Sequence, residues 1–541
     1  MKATMMDYPL TLTHILERAG KFFPKSQIVS RMPNRSLRCC TYADFYHRAR
    51  ALGEALLRLG LRRGDRVATL MWNHYAHLEA YFGIPAAGGV VHMLNLRLAP
   101  TDLAFIANHA GDRFLIVDDV LLPLYEKFRA EPKFERVIVV PLTGQPVEKE
   151  LQDYEALLRE SRGDLAYPVL DEYEGAAMCY TSGTTGMPKG VLYSHRALVL
   201  HSFALLFADC MALAEGDVIM PVTPMFHANA WGIPYAAPMV GAKLVFPGPY
   251  LDPESVLDLA ERTGVTVAAG VSTVWMGIAD ALEKYPQRWK LVPGLRMPVG
   301  GSAPPEALIR RLDKQGLRLM HAWGMTESTP LATWCNLMPH MQCWDEDAKY
   351  EVRSRQGRPV PFVELRAVGI QSEAPWDGKT PGELHLRGPW IASSYFNSPD
   401  EQGKWTDDGW LRTGDIATID PDGYVRICDR SKDIIKSGGE WISSVDLENV
   451  LMAHPAVAEA AVIAVSHPKW QERPLAVVVL REGAAVTPEQ LRELLAARFA
   501  KWQLPDAFVF VPEIPHTSTG KMLKAKLREQ FKDWKWHEIA S

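Results

Sequence analysis

The chain is poor in cysteine, has no long apolar run and carries little net charge. Its seven cysteines form no C-x-x-C pair, which argues against a zinc or redox centre and favours reduced thiols in the cytoplasm. The longest apolar stretches, such as GIPYAAPMVGA from Gly232, are too short to span a bilayer and contain prolines. A net charge of −5 gives no overall case for binding nucleic acid. These absences favour a cytoplasmic globular protein.

The amino terminus and the bulk composition agree with that expectation. MKATMMDYPLTLTHILERAG contains Asp7, His14 and Glu17 and lacks the apolar centre of a secretory signal, so it predicts the start of a helix. The hydrophobic fraction of 47% and the charged fraction of 23% are ordinary for a soluble protein. A chain of 541 residues is expected to form more than one domain.

Short β-rich runs alternate with helical patterns through the first part of the chain. The helical pattern is clearest at 42–60, YADFYHRARALGEALLRLG. The β-rich runs are RVATLMW (66–72), RFLIVDD (113–119), RVIVV (136–140), KLVFP (243–247) and TVAAG (266–270). This alternation predicts an α/β fold in which helices layer mixed or parallel β-sheets.

The pattern changes from about Gly382, where strands and tight turns replace the alternation. D-G pairs at 408–409 and 422–423 are hairpin signals. A short charged segment at 429–432 then leads into a second pattern of strands and helices, AEAAVIAV, PLAVVVL and TPEQLRELLAARFAKW. We therefore predict a boundary in that segment between a large first domain and a small α+β domain.

One loop is rich in glycine and hydroxyl side chains. YTSGTTGMPKGV begins at Tyr180, and its glycines and hydroxyls suit the close approach of phosphate oxygens. It is not a P-loop, because counting from Gly183 puts Pro188 at the second glycine position, and no hydroxyl follows Lys189. An apolar run precedes the loop, and Ser194 is a candidate N-cap for a helix after it. The loop is a candidate polyphosphate site, with an ordinary turn as the alternative.

Further motifs follow this loop in order: PMFHANAW, VGGSAPP, HAWGMTE, LRTGD, DR at 429–430, SGGEW and PHTSTGK. With the loop, they make the chain resemble the adenylate-forming superfamily of acyl-CoA synthetases, firefly-type luciferases and peptide-synthetase adenylation domains. YSHRALVLHS, MFHANAW and KSGGEWISSVDLEN look most like bacterial fatty-acyl-CoA synthetases. The resemblance implies that a carboxylic acid reacts with ATP to give acyl-AMP and pyrophosphate, and that the acyl group then passes to coenzyme A.

The resemblance also implies where ATP and Mg²⁺ bind. The residues that would cradle the β- and γ-phosphates are Thr181, Ser182, Gly183, Thr184, Thr185, Gly186 and Lys189. Glu327 would bind Mg²⁺ together with Thr184. The residues that would line the adenine slot or contact the nucleotide nearby are Gly301, Ser302, Ala303, Trp323, Gly324 and Thr326. Trp323 replaces the tyrosine of the family and can still stack, so activity is expected to survive.

Asp415 would accept hydrogen bonds from the ribose, and Arg430 would contact ribose or phosphate. Lys521 is the first choice for the adenylation step, because a flexible ammonium can reach the α-phosphate and the attacking carboxylate together. The alternative is an ordinary lysine of a basic tail.

The resemblance implies a domain of adenylation over 1–429, a hinge linker over 430–435 and a mobile domain over 436–541. Lys432 matches the hinge position. After the domain swings, the residues that would line the coenzyme A tunnel are Lys436, Gly438 and Gly439.

His227 and Trp231 are expected at a helix start beside the acyl site, with Gly301 close by. His227 would be an aromatic wall or a polar contact for the acyl carbonyl, and Trp231 a gate or wall of the acyl channel. Close helix packing is the alternative.

The main prediction is a ligase that joins a medium- or long-chain fatty acid to coenzyme A, with short-chain, thioether or aryl acids as the alternative. A luciferase-like oxygenase, an adenylation domain that serves a carrier protein and an inactive acyl-AMP sensor are the other classes considered. The family also implies a homodimer, and nothing in the sequence compels contact with a membrane.

Overall fold

The computed structural model describes residues 3–181, 187–369, 372–437, 440–516 and 522–536. Its strands, in chain order, are β1 (Gln27–Arg31), β2 (Leu37–Thr41), β3 (Arg66–Leu70), β4 (Val90–Met93), β5 (Asp112–Asp118), β6 (Arg136–Val140), β7 (Gln152–Asp153), β8 (Gly175–Tyr180), β9 (Gly190–Ser194), β10 (Val218–Pro221), β11 (Lys243–Phe246), β12 (Val267–Val271), β13 (Arg296–Gly300), β14 (Arg318–Gly324), β15 (Leu331–Trp334), β16 (Arg358–Pro359), β17 (Glu364–Val368), β18 (Gly382–Arg387), β19 (Leu411–Ile419), β20 (Val425–Arg430), β21 (Ile435–Ser437), β22 (Glu440–Ile442), β23 (Val457–His467), β24 (Gln471–Leu480) and β25 (Ala507–Phe510).

The helices lie between these strands for most of the chain. They are α1 (Leu12–Phe22), α2 (Tyr42–Arg58), α3 (Tyr75–Ala86), α4 (Pro100–Ala110), α5 (Leu122–Tyr125), α6 (Tyr154–Arg159), α7 (His195–Leu206), α8 (Ile233–Val240), α9 (Pro253–Thr263), α10 (Ser272–Lys284), α11 (Glu306–Lys314), α12 (Glu346–Ser354), α13 (Ser444–Met452), α14 (Pro488–Ala496) and α15 (Lys524–Gln530). Within the described ranges, none of them combines the length and the apolar character needed to cross a membrane.

The part of the chain before residue 430 is built on large mixed sheets. One sheet has the order β7-β6-β5-β3-β4-β8-β9, and another has the order β16-β15-β14-β13-β12-β10-β11-β1-β2. Both are parallel through their centres and antiparallel at an edge, as the β8–β9 and β14–β15 pairs show. A further sheet, β17-β18-β19-β20, is antiparallel throughout. The predicted α/β class with mixed sheets is confirmed.

The small part of the chain forms its own sheet, β22-β21-β24-β23, with β25 added to β24. One face of this sheet packs on α13 and α14 through Leu447 and Leu491. The other face packs on α15 through Leu527. Because the small part has its own buried core on both faces, the structure has the predicted α+β unit after the large one.

Local sequence signals account for many of the element boundaries. β6 coincides with the predicted run RVIVV. Helix α7 begins after Ser194, whose hydroxyl accepts a hydrogen bond from the Ala197 amide at 3.1 Å, as expected of an N-cap. The D-G pair at 422–423 turns β19 into β20, and Gly423 has a φ of +84° there.

The carboxyl ends of parallel strands lie at the edges where α/β proteins bind ligands. In this fold, β13 ends at Gly300 and β14 ends at Gly324 on neighbouring positions of one sheet. Strand β8 of the other large sheet ends at Tyr180, next to the loop rich in glycine and hydroxyls. The fold therefore gathers several of the sequence motifs at strand ends.

Candidate active site

A cavity of about 540 Å³ lies where the large and the small parts of the chain meet. Its walls come from the carboxyl ends of β13 and β14, from β19, and from the segment Met522–Ala525 at the start of α15. A concave space between domains is a common place for a small-molecule site. The small part of the chain thus completes a cavity that the large part begins.

Many of the residues predicted from the sequence line this one cavity. They are Thr181, Lys189, His227, Trp231, Gly301, Trp323, Gly324, Thr326, Glu327, Arg430 and Lys432. Ser302, Ala303, Asp415 and Lys436 are described but are not part of the cavity wall. The predicted residues Ser182, Gly183, Thr184, Thr185, Gly186, Gly438, Gly439 and Lys521 lie outside the described residues.

Glu327 lies in a short 3₁₀ turn directly after β14, and only 5% of the residue is exposed. The Tyr395 hydroxyl donates a hydrogen bond to its carboxylate. The backbone of the turn is also fixed, because the Ala392 amide donates to the Glu327 carbonyl at 2.7 Å and the Tyr193 hydroxyl donates to the Thr326 carbonyl at 2.8 Å. The carboxylate is therefore held in one orientation at the cavity wall.

A fixed carboxylate of this kind suits Mg²⁺, which prefers oxygen ligands. Among the described residues, no three His, Cys, Asp or Glu side chains lie together as a metal cage. Mg²⁺ is often bound through one or two carboxylates and the phosphates of its substrate instead. Glu327 fits that second arrangement. Burial and the neighbouring Glu327 both raise the pKa of Tyr395, so its hydroxyl keeps its proton and remains a donor.

Lys189 closes the base of the glycine-rich loop. The Thr181 amide donates to the Lys189 carbonyl at 2.9 Å, and the Lys189 amide donates to the Thr181 hydroxyl at 3.1 Å. The Lys189 ammonium lies 2.5 Å from a carboxylate oxygen of Glu401 and 5.2 Å from the centre of the Tyr395 ring. These contacts support the prediction that Lys189 holds the shape of the loop.

Asp415 and Arg430 face each other as register partners of β19 and β20. The Arg430 Nε lies 2.7 Å from an oxygen of the Asp415 carboxylate. Asp415 is 2% exposed, whereas 44% of the Arg430 side chain is exposed. A carboxylate accepts several hydrogen bonds at once, so Asp415 can bind Arg430 and vicinal hydroxyls together.

The predicted adenine slot lies at the ends of β13 and β14. Gly301 has a φ of +84°, which a side chain would strain. At Gly324 a Cβ atom would lie 1.6 Å from the Pro330 carbonyl oxygen, so only glycine fits. The β-bulge between Trp323 and Gly324 leaves the Trp323 indole half-buried at the cavity wall, where a flat ring can stack on it.

The backbone around His227 and Trp231 differs from the expectation. The sequence predicts that they begin an ordinary helix, but residues 228–231 form a left-handed 3₁₀ turn with φ between 43° and 58°. None of the four is glycine, so each adopts a backbone conformation that is unfavourable in free energy for an L-residue. The turn brings the Trp231 ring against Gly300 and leaves His227 half-buried at the cavity wall. The prediction that both residues border the cavity remains compatible with this geometry.

The sequence of the chain matches the AMP-binding enzyme family over residues 16–396 and the AMP-binding enzyme C-terminal domain over residues 446–521. The chain belongs to the AMP-binding enzyme family. Its relatives include the long-chain-fatty-acid–CoA ligase of Thermus thermophilus, which is 51% identical over 98% of this chain and 97% of its own. The 3-methylmercaptopropionyl-CoA ligase of Ruegeria lacuscaerulensis is 44% identical over 98% of this chain and 99% of its own.

A solved structure of the anthranilate CoA ligase AuaEII in complex with anthranoyl-AMP is similar to this AMP-binding enzyme, with a TM-score of 0.85 and 26% identity. The match covers 98% of this chain and 99% of the other. The family and the enzyme class predicted from the sequence, an adenylate-forming acid–thiol ligase, are confirmed. ATP and coenzyme A, which the sequence predicts as co-substrates, are those of the adenylate-forming enzymes.

Among the residues of this AMP-binding enzyme that border the cavity and that sequence reasoning missed are Tyr395, Lys404 and Lys524. Tyr395 and Lys404 lie outside every motif, so no spacing or composition marks them. Lys524 stands in the basic tail, where a solvated lysine is expected, yet it is buried. Its ammonium lies 2.6 Å from the Glu448 carboxylate and 2.6 Å from the Ser444 hydroxyl. Only the fold reveals that this lysine is structural.

Proposed function

We propose that the protein is an ATP-dependent ligase that activates a medium- or long-chain fatty acid as acyl-AMP and passes the acyl group to coenzyme A. The observation that carries the proposal is the single cavity that contains Glu327, Arg430 and Trp323 together with the segment next to Lys521. The named activity of the Thermus thermophilus relative supports the fatty-acid substrate.

The first half-reaction requires two anions to meet. Two unit charges 4 Å apart interact by about 4 kcal/mol at an effective dielectric constant near 20, so cations must offset the repulsion. An oxygen of the acid attacks the α-phosphorus of ATP, the bond from that phosphorus to the bridging oxygen breaks, and pyrophosphate leaves. We assign Lys521 to the α-phosphate and the attacking carboxylate, and the loop from Thr181 to Gly186 to the β- and γ-phosphates.

Ribose and adenine binding follow from the same assignment. Asp415, fixed by Arg430, accepts hydrogen bonds from the ribose hydroxyls, and the Trp323 indole stacks on the adenine. Glu327 would hold Mg²⁺, which supplies positive charge to the phosphates when it is bound. Tyr395 keeps the Glu327 carboxylate oriented for that role.

The second half-reaction uses a thiol as the nucleophile. The sulfur of coenzyme A attacks the acyl carbon, the bond from that carbon to the AMP oxygen breaks, and the thiol proton is released. We propose that the small domain swings about Lys432 between the two steps, with 1–429 as the static domain, 430–435 as the linker and 436–541 as the moving domain. Lys436, Gly438 and Gly439 would then line the path of the pantetheine arm.

The acyl chain requires an apolar wall beside the acyl carbonyl. Apolar side chains at the cavity include Leu205, Met211, Leu331 and Trp334, and Trp231 lines the same cavity. Burial stabilises each methylene of a bound chain by about 0.8 kcal/mol, so a longer chain that fits gains affinity. The Ruegeria relative supports a thioether acid as the alternative substrate. A homodimer in the cytoplasm completes the proposal.

The test is pyrophosphate release with acetate, butyrate, octanoate, palmitate, benzoate and 3-methylmercaptopropionate, each with and without coenzyme A. Highest activity with octanoate or palmitate, and sustained turnover only with coenzyme A, is the expected result. Highest activity with a short, aryl or thioether acid would keep the chemistry and replace the substrate. No release with any acid would refute the ligase.

The variant Lys521→Ala tests the assignment of the first step. Because it removes the cation at the reacting atoms, we expect acyl-AMP formation to fall about 10³-fold. Thioester formation from synthetic acyl-AMP should change much less. Lys526→Ala, which alters an exposed lysine five residues further along the chain, is the matched control. Equal losses in both half-reactions would contradict the assignment.

A further inference from the structure

Lys404 is a cavity residue to which no motif assigns a role. It ends the 3₁₀ segment Pro399–Lys404, is half-buried and lines the same cavity as Glu327 and Arg430. Its ammonium donates a hydrogen bond to the Thr413 carbonyl at 3.2 Å. The same nitrogen lies 3.9 Å from the position that a Cβ atom on Gly414 would take, so it lies beside the T-G-D segment of β19.

The charges around this ammonium are committed to other partners. The charged groups that act on it are Arg430 on β20, Asp415 on β19, Glu383 on β18 and Glu327 in the 3₁₀ turn after β14. Asp415 is bonded to Arg430, and Glu327 is bonded to Tyr395.

Glu383 is paired with a histidine of its own strand. Among the side chains that the structure describes, no carboxylate lies within 4.0 Å of the Lys404 ammonium.

Such a cation gains from an incoming anion. An ammonium has three donors, and the Thr413 carbonyl takes one of them. Removing a charge from water costs free energy unless an opposite charge or strong hydrogen bonds replace the water. Burial lowers the pKa of Lys404, as expected of an ammonium that has lost part of its hydration. A phosphate oxygen that accepts hydrogen bonds from the remaining N–H donors would replace the hydration that the Lys404 ammonium loses on burial.

The position selects one phosphate of the nucleotide. Lys404 lies beside the T-G-D segment of β19, which is assigned to the ribose. It lines the same cavity as Glu327, which is assigned to the metal on the outer phosphates and whose charge acts on it. The α-phosphate joins these two parts of ATP. We propose that Lys404 binds the α-phosphate of ATP, as a second cation besides Lys521 that favours the adenylation step. This inference rests on the proposed function, because it assumes ATP in this cavity.

The test is direct binding of ATP, AMP and adenosine by titration calorimetry to wild type, Lys404→Gln, Lys404→Arg and the exposed control Lys379→Gln. We expect Lys404→Gln to weaken ATP and AMP by about 10- to 100-fold, the range of a hydrogen bond between charged groups. Adenosine, which lacks phosphate, should bind equally to all four proteins. Lys404→Arg should keep most of the affinity, because it keeps the charge.

The pH dependence of AMP binding distinguishes two roles for Lys404, binding a phosphate or only supporting the T-G-D segment of β19. Wild-type affinity for AMP should fall as pH rises through the lowered pKa of Lys404, and Lys404→Arg should remove that fall since arginine stays charged. Lys189, Lys432 and Lys524 also border the cavity, so a fall that persists in Lys404→Arg would have another source and would overturn the proposal.

The remaining outcomes are distinguishable. Equal weakening of adenosine and ATP in Lys404→Gln would mean that Lys404 only supports the T-G-D segment of β19, and would overturn the proposal. Unchanged ATP binding would overturn it as well, with the ligase function still standing. Failure of the wild-type protein to bind ATP would refute the proposed function and this inference together.

Discussion

At the scale of single residues, Tyr395 is the clearest link between geometry and activity. Its hydroxyl orients the Glu327 carboxylate, and its ring lies under the Lys189 ammonium. Tyr395→Phe keeps the ring and removes the hydrogen bond. We expect adenylation to need more Mg²⁺ and to slow about 10- to 100-fold, the range for partners of metal ligands. Steady-state rates over a Mg²⁺ series check this, with the exposed Tyr173→Phe as control, and an unchanged Mg²⁺ dependence would refute it.

Sequence analysis identified the site residues that stand within recognisable motifs. Glu327, Asp415 and Arg430 stand in motifs with a fixed order, and the structure brings Glu327 and Arg430 to one cavity and pairs Asp415 with Arg430. Tyr395 and Lys404 could not be found in this way, because the residues around them have no pattern tied to a ligand. Their roles arise only when the segment between β18 and β19 packs beside Glu327.

At the scale of elements, helix α15 is fastened to the rest of the small domain through a buried charge. Lys524 bonds Glu448 and Ser444, and the Ser444 amide donates to the Asp429 carboxylate at 2.7 Å. Lys524→Met leaves two buried carboxylates without their cation, so we expect a loss of roughly 3–5 kcal/mol in unfolding free energy. Urea denaturation measures it, with the exposed Lys526→Met as control.

The double variant Lys524→Met with Glu448→Gln completes that experiment. Since no uncompensated charge remains at the pair, part of the lost stability should return. Destabilisation that simply adds from the two single variants would contradict the role assigned to the pair.

Periodicity and capping predicted several helices and strands of the large domain, as at β6 and α7. The prediction was wrong at 228–231, where a helix start was expected and the backbone is left-handed. A run of positive φ at non-glycine residues is decided by the packing around it and leaves no local signal.

At the scale of the whole molecule, buried histidines should govern acid stability. Burial lowers the pKa of His77 and His201 to about 3 and of His195 and His321 to about 4. The unfolded chain binds protons at these sites below about pH 6.5, and the folded chain does not, so stability falls as pH falls. Each group contributes about 1.4 kcal/mol per pH unit. Glu448, whose pKa is raised to about 7, acts in the opposite direction and offsets about one of them.

Urea midpoints from about pH 7.5 to pH 5 check this. We expect stability to fall below pH 6.5 by less than about 4 kcal/mol per pH unit, because burial also raises the pKa of Glu79, Asp112 and Asp429, which act against the histidines. Exchange of an exposed histidine, His340→Asn, should leave that slope unchanged. A flat profile over this range would contradict the assignment of neutral buried imidazoles.

The two-part architecture could be anticipated from the change of pattern near residue 430, and the exact limits of the linker stay a prediction. The shape of the cavity could not be anticipated, because its walls join strand ends of the large part to the start of α15. That contact depends on residues far apart in the chain.

The left-handed turn at 228–231 bears on how the acid preference of the enzyme can be redesigned. The left-handed backbone at 228–231 sets the position of this part of the cavity wall, because the turn places the Trp231 ring beside Gly300. Replacement of Trp231 by a smaller residue would enlarge the cavity and leave the backbone path at 228–231 unchanged. Glycine at 228 or 230 would instead relieve the disfavoured φ and let the backbone take other paths, which would broaden substrate scope at the expense of selectivity.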